Sequence, residues 1–459
     1  MNHTPHRWYH ELTRYHWFVL IVAALGWLFD TMDQQLFVLA RVPAMRELLA
    51  ATPGAKVEKA QVDFYAGVTT SIFLLGWASG GLFFGVLGDR IGRVRTMLIT
   101  ILIYSFCTGL SAISRGFWDF AFYRFLTGLG VGGEFAVGVS LVAEVMPDRA
   151  RPFALGLLQA LSAVGNITAA LLSIWLGHLE AAGAFQDLVV FSTPVKAWRI
   201  MFVIGVLPAL LVILIRRKLK EPERWEATAH SGVVKQRLGS YAELFSDPVL
   251  RKRAIVGLVL AFSGVVGLWG IGFFTPDLFD GVLRASYAKQ DMTPAEVDGN
   301  VAFWKGMLSV MLNLGAAMGI YSFAMVSHHF GRKPTFAIAF IAAAASTAAV
   351  FWYFKEFNQV FWMIPIMGFC QLSLFGGYAI YFPELFPTRL RSTGTSFCYN
   401  VGRFVAATGP LAQGALAGLL FAGSEHAIRY AGVTMCSVFL LGLLALPFAP
   451  ETRGKPLPE

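Results

Sequence analysis

Charge is what this chain has least of. Of its 459 residues, 14% are Asp, Glu, Lys or Arg and 56% are hydrophobic, whereas a soluble chain carries about 25% charged residues. That scarcity excludes an ordinary soluble globule. Cysteine is also rare: Cys107, Cys370, Cys398 and Cys436 form no CxxC pair, so neither a disulfide framework nor a metal site is indicated. There is no GxSxG elbow and no Walker A loop, and the histidines are scattered near termini and loops. These absences argue against an enzyme and against ATP-driven transport, and no cofactor or metal is expected. No small-residue cleavage site precedes the first apolar block, so a cleavable signal peptide is not expected.

The apolar residues come in blocks of about 20, the length that crosses a bilayer as helix. The blocks fall at 16–40, 64–88, 96–113, 117–143, 153–176, 198–215, 254–275, 303–326, 334–354, 359–382, 392–421 and 429–449. The pattern predicts an all-α membrane protein with twelve transmembrane helices in two six-helix bundles. The net charge of +9 then sets topology instead of marking a nucleic-acid partner. The termini and the loops on their side hold 23 Lys and Arg, the opposite loops 9. Basic loops stay in the cytoplasm, so both termini are expected there. The first helix is expected to act as the insertion signal of a monomeric, multi-pass plasma-membrane protein, in a bacterium the inner membrane.

The longest polar stretch, 216–253, follows the sixth block. It divides the chain into 1–215, a cytoplasmic linker 216–253, and 254–459. A repeat supports the division. Glu144-Val-Met-Pro147-Asp-Arg149-Ala-Arg151 returns as Glu384-Leu-Phe-Pro387-Thr-Arg389-Leu-Arg391, 240 residues on. Gly92-Arg93 returns as Gly331-Arg332, 239 residues on, and Pro222-Glu223-Arg224 has a looser echo in Pro450-Glu451-Thr452-Arg453, 228 residues on. Parallel repeats place the substrate between the halves, near the bilayer midplane.

Gly85-Val-Leu-Gly88-Asp89-Arg90-Ile-Gly92-Arg93-Val-Arg95 follows the second block. Its glycines permit a tight turn and close helix approach. Asp89 can accept hydrogen bonds at a helix N-terminus, and the arginines can pair with carboxylates. This stretch resembles the loop 2–3 signature of the major facilitator superfamily, GxLxDRxGRxR. Arg124 through Glu134 and Glu144 through Arg151 resemble the fourth span of bacterial metabolite:proton symporters of the aromatic-acid, sialate and organic-acid type. Pro383 through Arg389 and the tail Pro450 through Pro458 are similar to sugar porters and organic ion transporters as well. The resemblance implies alternating access, with Asp89, Arg90, Arg93, Glu144, Arg149, Arg332, Glu384 and Arg389 forming a cytoplasmic gate. The second copy, His328-His329-Phe-Gly331-Arg332-Lys333, lacks the acid, so a weaker latch is expected there. The seventh block lacks the paired glutamines of sugar porters, and the first outside loop, 41–63, is too short for an animal organic ion transporter.

An ionised side chain at mid-membrane costs on the order of 3 kcal/mol or more, so each such residue is a functional candidate. Asp30 and Asp33 share a face of the first span at i, i+3 spacing; they resemble the aspartate pair of aromatic-acid:proton symporters, without its glycine. With Glu134 they are the candidate proton carriers. Helical rise places Arg124 at the depth of Asp33, and Arg403 at the depth of Glu134, so two arginine–acid pairs are expected. Arg403 also resembles an arginine that organic anion transporters carry, and an arginine binds a carboxylate through two parallel hydrogen bonds. Arg124 and Arg403 are therefore candidate substrate ligands, together with Asn166, Trp269, Asn313, Gln371, Tyr378 and Asn400. Arg41, Arg199 and Lys305 near helix ends are expected to snorkel. Gly76/Gly80, Gly81/Gly85 and Gly315/Gly319 are expected to let helices approach closely.

The reading that follows is proton-coupled symport of a small organic anion. A sugar or neutral-solute porter, an efflux antiporter and a transporter-like sensor are the alternatives; the short tails and linker leave little room for a sensor's output domain.

Overall fold

The computed structural model describes all residues except 1–7, 51–56, 191–192, 231–237, 273–274, 288–291, 409–420, 422–423 and 425. It is almost entirely helical. The helices are α1 Arg14–Leu48, α2 Lys59–Ile91, α3 Arg93–Ser111, α4 Phe117–Val145, α5 Arg151–Ala181, α6 Ala197–Ile204, α7 Ala209–Lys218, α8 Glu223–His230, α9 Tyr241–Ser246, α10 Pro248–Gly272, α11 Thr275–Tyr287, α12 Pro294–Phe330, α13 Arg332–Tyr353, α14 Val360–Leu385, α15 Arg391–Ala406, α16 Ala427–Met435 and α17 Val438–Ala445. A two-residue pairing of Val189–Val190 with Thr193–Pro194 lies in the loop before α6.

Ten stretches are long and apolar enough to cross a membrane among the described residues. They match the expected blocks except the seventh and eleventh. There, α10 ends at Gly272 just before 273–274, and α15 stops at Ala406, with the rest of the expected block in 409–420, outside the described residues. Several helices outrun the blocks. The 35 residues of α1 extend about 52 Å, well beyond a hydrocarbon core of about 30 Å; polar turns at helix ends continue a helix that the hydropathy pattern truncates.

The packing repeats as the sequence does. In the first half α2 and α3 pack on α4; in the second α12 and α13 pack on α14. The glycine pairs explain how closely. A Cβ on Gly76 or Gly80 would collide with the carbonyls of Phe125 and Leu129 in α4, and one on Gly315 or Gly319 with those of Pro365 and Phe369 in α14. Gly81 and Gly85 face Asn400 and Ser396 of α15 instead, so this pair joins α2 to the other half. Contacts of α5 with α12 and of α2 with α15 form the seam.

α3 and α13 both start after a glycine in the left-handed region, Gly92 at φ 112° and Gly331 at φ 97°, a conformation a Cβ would strain. The segment 216–253 is more than a tether. Trp225 Nε1 of α8 donates to Asp89 O at 2.8 Å, and the Tyr241 hydroxyl of α9 to Leu82 O at 2.9 Å. The three basic residues near helix ends do not simply snorkel. Arg41 donates to Thr70 Oγ1, Arg199 is buried on Glu47 at 2.8 Å, and Lys305 pairs with Asp280 at 2.7 Å. Each found a partner on another helix, which hydropathy does not reveal.

Candidate functional site: a buried charge cluster above a closed gate

Asp30 and Asp33 are fully buried. Thr108 Oγ1 donates to Asp33 Oδ1 at 2.7 Å, and Arg124 Nη1 lies 3.8 Å from Asp33 Oδ2. The expected Asp33–Arg124 pairing is therefore present as an ion pair without a direct hydrogen bond. Arg124 spends Nε and Nη2 on Ser111 Oγ, at 3.0 and 2.7 Å. The rings of Phe37, Phe120 and Phe202 surround its guanidinium at 5.7, 5.9 and 4.6 Å. It is enclosed among helices of the first half, as a partner that positions Asp33.

The second expected pair does not form. Glu134 Oε2 accepts from Thr100 Oγ1 of α3 at 2.9 Å, and its other oxygen faces Gly26 of α1. Arg403 lies over the rings of Trp77 at 4.0 Å and Tyr399 at 4.2 Å, donating through Nη1 to Asn400 Oδ1 at 3.1 Å and to Tyr399 O. Depth along a helix follows from residue counting; the direction in which a side chain leaves the helix depends on packing, and here it separates the two groups. The acid within electrostatic range of Arg403 is Asp30. Neither Asp30 oxygen has a hydrogen-bond partner among the described residues, and nor does Arg403 Nε. An ionised carboxylate in such a place has only the Gln34 amide, one turn on in α1, and the charge of Arg403 to offset its desolvation.

Aromatic rings connect the cluster across the seam. Tyr399 of α15 stacks on Phe135 of α4 at 3.9 Å, and Phe135 contacts Trp27 of α1 at 4.9 Å. Two polar pairs also cross it: Asn166 to Asn313 at 2.8 Å and Gln35 to Ser309 at 3.0 Å. The remaining candidates are dispersed. Gln371 donates to Thr347 at 3.0 Å, and the Tyr378 hydroxyl to Leu260 O at 2.6 Å; both tie helices within the second half. The side chain of Trp269 lies outside the described residues. Gln35, Trp27 and Phe135 were missed because an apolar or amphipathic helix gives no sign of which residues face a seam.

At the basic end the two halves are locked together. Asp89 Oδ1 accepts from Ser392 N at 3.2 Å; Oδ2 accepts from Thr393 N at 2.9 Å and Thr393 Oγ1 at 2.6 Å. It thereby caps the first turn of α15, where a negative charge is favoured by the helix dipole. Arg93 pairs with Asp89 at 3.0 Å and holds Glu144 through Nη2 at 2.8 Å and Nε at 3.1 Å. Glu144 also pairs with Arg391 of the other half at 2.7 Å, and Arg391 Nη2 continues to Pro458 O at 2.8 Å. In the second half Arg332 grips Glu384 at 2.8 Å, joined by Thr452 Oγ1 at 2.6 Å. Arg90 donates to Leu238 O at 3.2 Å, and Arg389 pairs with Glu243 at 2.8 Å.

Arg149 stands apart from this gate. It is exposed, and among the described residues it pairs with Glu11 at 3.6 Å. The buried position belongs to Arg151, which donates to Ala143 O as its repeat mate Arg391 does to Pro383 O. Two capping acids were also missed. Glu221 accepts from Val94 N and Arg95 N at 3.1 Å, at the start of α3; Glu451 accepts from Arg332 N at 3.0 Å and Lys333 N at 3.1 Å, at the start of α13. The echo of the tail is thus Glu221, on the other side of Pro222 from Glu223. Burial pushes the Glu221 carboxyl up from its ordinary value, with its backbone bonds opposing; at Glu451 burial acts in the same sense, but four backbone N–H groups outweigh it and hold the carboxyl down.

Comparison with known proteins adds three findings. The family description Major Facilitator Superfamily matches residues 23–292. A putative metabolite transport protein of Haemophilus influenzae is 28% identical over 455 residues, covering 97% of this chain and 99% of its own; the cis,cis-muconate transport protein of Acinetobacter baylyi is 28% identical, covering 85% and 86%. Among solved structures, the proton:xylose symporter XylE bound to 6-bromo-6-deoxy-D-glucose superposes with a TM-score of 0.74 at 17% identity, covering 96% of this chain and 98% of that one. At that identity the likeness concerns the fold alone.

Proposed function

This chain belongs to the Major Facilitator Superfamily, a family of transporters and not of enzymes, and on that premise we propose that it is a proton-coupled symporter of a small organic anion. The observation that carries the reading is the fully buried Asp30, approached by the Gln34 amide one turn on in α1 and within electrostatic range of Arg403, whose Nε–H makes no hydrogen bond among the described residues. In the proposed cycle, ionised Asp30 and Arg403 neutralise one another. A proton taken up by Asp30 releases the guanidinium, whose fork then receives the substrate carboxylate. Substrate binding favours protonation by the same factor, by thermodynamic reciprocity. Asp33, held by Arg124, and Glu134 continue the acidic path inside the first half. The muconate transporter among the relatives supports a carboxylate as cargo.

The architecture belonging to this proposal is twelve spans in two six-helix bundles, 1–215 and 254–459, joined by 216–253, with the basic end in the cytoplasm and a monomer as the working unit. On this reading the closed end faces the cytoplasm, and the state described is not the inward-open one. The polar pairs Asn166–Asn313 and Gln35–Ser309 support a second reading, a neutral polyol. Uptake of labelled carboxylates and sugars into proteoliposomes, with and without an inward proton gradient, separates the two. Carboxylate accumulation that needs the gradient and disappears in Asp30→Asn, with counterflow exchange retained, is the expected result. Gradient-independent accumulation, or uptake of sugars alone, overturns the proposal.

A further inference from the structure

A groove runs along the outer surface where α10 meets α17. Ile255, Val256 and Val259 form one wall, Leu441, Leu444 and Phe448 the other, around a volume of about 510 Å³. Its basic-end rim carries Arg251 and Lys252, both exposed. Among the described residues Arg251 reaches Phe245 O, at 3.5 Å, whereas Arg253, two residues on, turns inward onto Leu385 O at 2.9 Å. Asp247, three residues upstream of Leu250, is turned to the helix start: its Oδ1 accepts from Val249 N and Leu250 N at 2.7 and 3.1 Å, capping α10. The rim therefore presents two cations that make no salt bridge among the described residues, at the mouth of an apolar groove.

We propose that this groove is a binding site for an anionic phospholipid. One acyl chain lies between Ile255 and Leu444, and the phosphate sits against Arg251 and Lys252. Basic pockets between helices at the end of a bundle recruit anionic headgroups in this way, and a dry apolar channel in a membrane is filled by hydrocarbon. The position gives the lipid leverage. α10 starts directly after α9, whose Glu243 holds Arg389 at the gate at 2.8 Å. A lipid seated here fastens the helix that leads out of the closed end.

The test uses the full chain in detergent, with native mass spectrometry and thermal unfolding as readouts. Phosphatidylglycerol should be retained, and should stabilise the protein at a concentration at least about tenfold lower than phosphatidylcholine. Arg251→Gln with Lys252→Gln should abolish that preference. Arg216→Gln with Arg217→Gln, an exposed basic pair away from the groove, should leave it intact. Ile255→Trp with Leu444→Trp, which fills the groove and keeps both charges, should lose the retained lipid. The proposal is overturned if the Arg251/Lys252 variant keeps its preference, if the Arg216/Arg217 variant loses it equally, if the groove-filled variant still retains lipid, or if glycerol 3-phosphate stabilises as well as the intact lipid.

Discussion

Asp89→Asn removes one charge from the gate while leaving its shape. The aspartate receives three hydrogen bonds from the first turn of α15 and lies 3.0 Å from Arg93. A hydrogen bond to an ionised group contributes about 1.5–3 kcal/mol, against about 0.5–1.5 for a neutral one. A charge at a helix N-terminus adds about 0.3–1 kcal/mol, or about 2 when partly buried. Asparagine keeps one acceptor oxygen and is spared the cost of burying a charge, so from these opposing contributions the net loss to the closed arrangement is about 2 kcal/mol. Each 1.36 kcal/mol is a factor of ten, which makes the shift about thirtyfold. A gate open about 1% of the time would then be open about a quarter of the time. Val137 reports this directly: it is fully buried, at the face of Gly88 that also meets Ser392. With the four native cysteines replaced by serine, Val137→Cys should react slowly with a maleimide, and more than tenfold faster once Asp89→Asn is added. Equal rates in the two backgrounds would refute the reasoning, because Asp89 would then contribute nothing specific to the closed state.

Four further outcomes follow from the geometry. Arg403→Lys should lose at least tenfold in substrate affinity, measured by binding to purified protein, since a point charge replaces the planar fork held over Trp77 and Tyr399. Asp33→Asn should retain counterflow and lose proton-driven accumulation, whereas Arg124→Gln should reduce both by leaving Asp33 buried without its counter-ion. Gly80→Val should cost about 1–3 kcal/mol or more, seen as a lowered melting temperature, because its side chain meets the Leu129 carbonyl. Glu451→Gln should cost about 0.5–2 kcal/mol at neutral pH, as caps do. Its carboxyl is held below the ordinary value, so the stabilisation is present above the unfolded-state value and lost as pH falls through the folded one. The difference in melting temperature between Glu451→Gln and the parent should therefore vanish on acidification; a difference that grew instead would contradict the cap.

Position along the helix was legible in the sequence, and direction around it was not. Apolar blocks located the spans, and the 240-residue offset found Glu144 and Glu384, both of which hold the arginine that follows Gly92 or Gly331. Counting residues also matched Asp33 to Arg124. It failed for Glu134 and Arg403 because equal depth leaves the azimuth free, and Glu134 points to Thr100 while Arg403 points to the seam. Arg391 was counted only as a topological charge, although the offset that pairs it with Arg151 placed it at the gate. The capping acids were obscured because the proline between Glu221 and Glu223 let the echo of the tail be aligned on the wrong acid.

α15 carries more than its share of the seam. Thr393, at its first turn, receives the latch from Asp89, and Arg403 stands ten residues deeper, about 15 Å along the same rod. Over its described length the helix contains no proline. If it pivots about the Arg403 end, a tilt of 10° moves Thr393 by about 2.6 Å, enough to take its amide out of hydrogen-bonding range of Asp89. Arg93 on Thr388 O, Glu144 on Arg391 and Ser396 on Gly81 O draw on the same short segment, so a displacement that releases one strains the rest. On the proposed cycle an event at the arginine would be transmitted mechanically, as a lever transmits a small rotation into a large stroke, and the closed end would yield in one step.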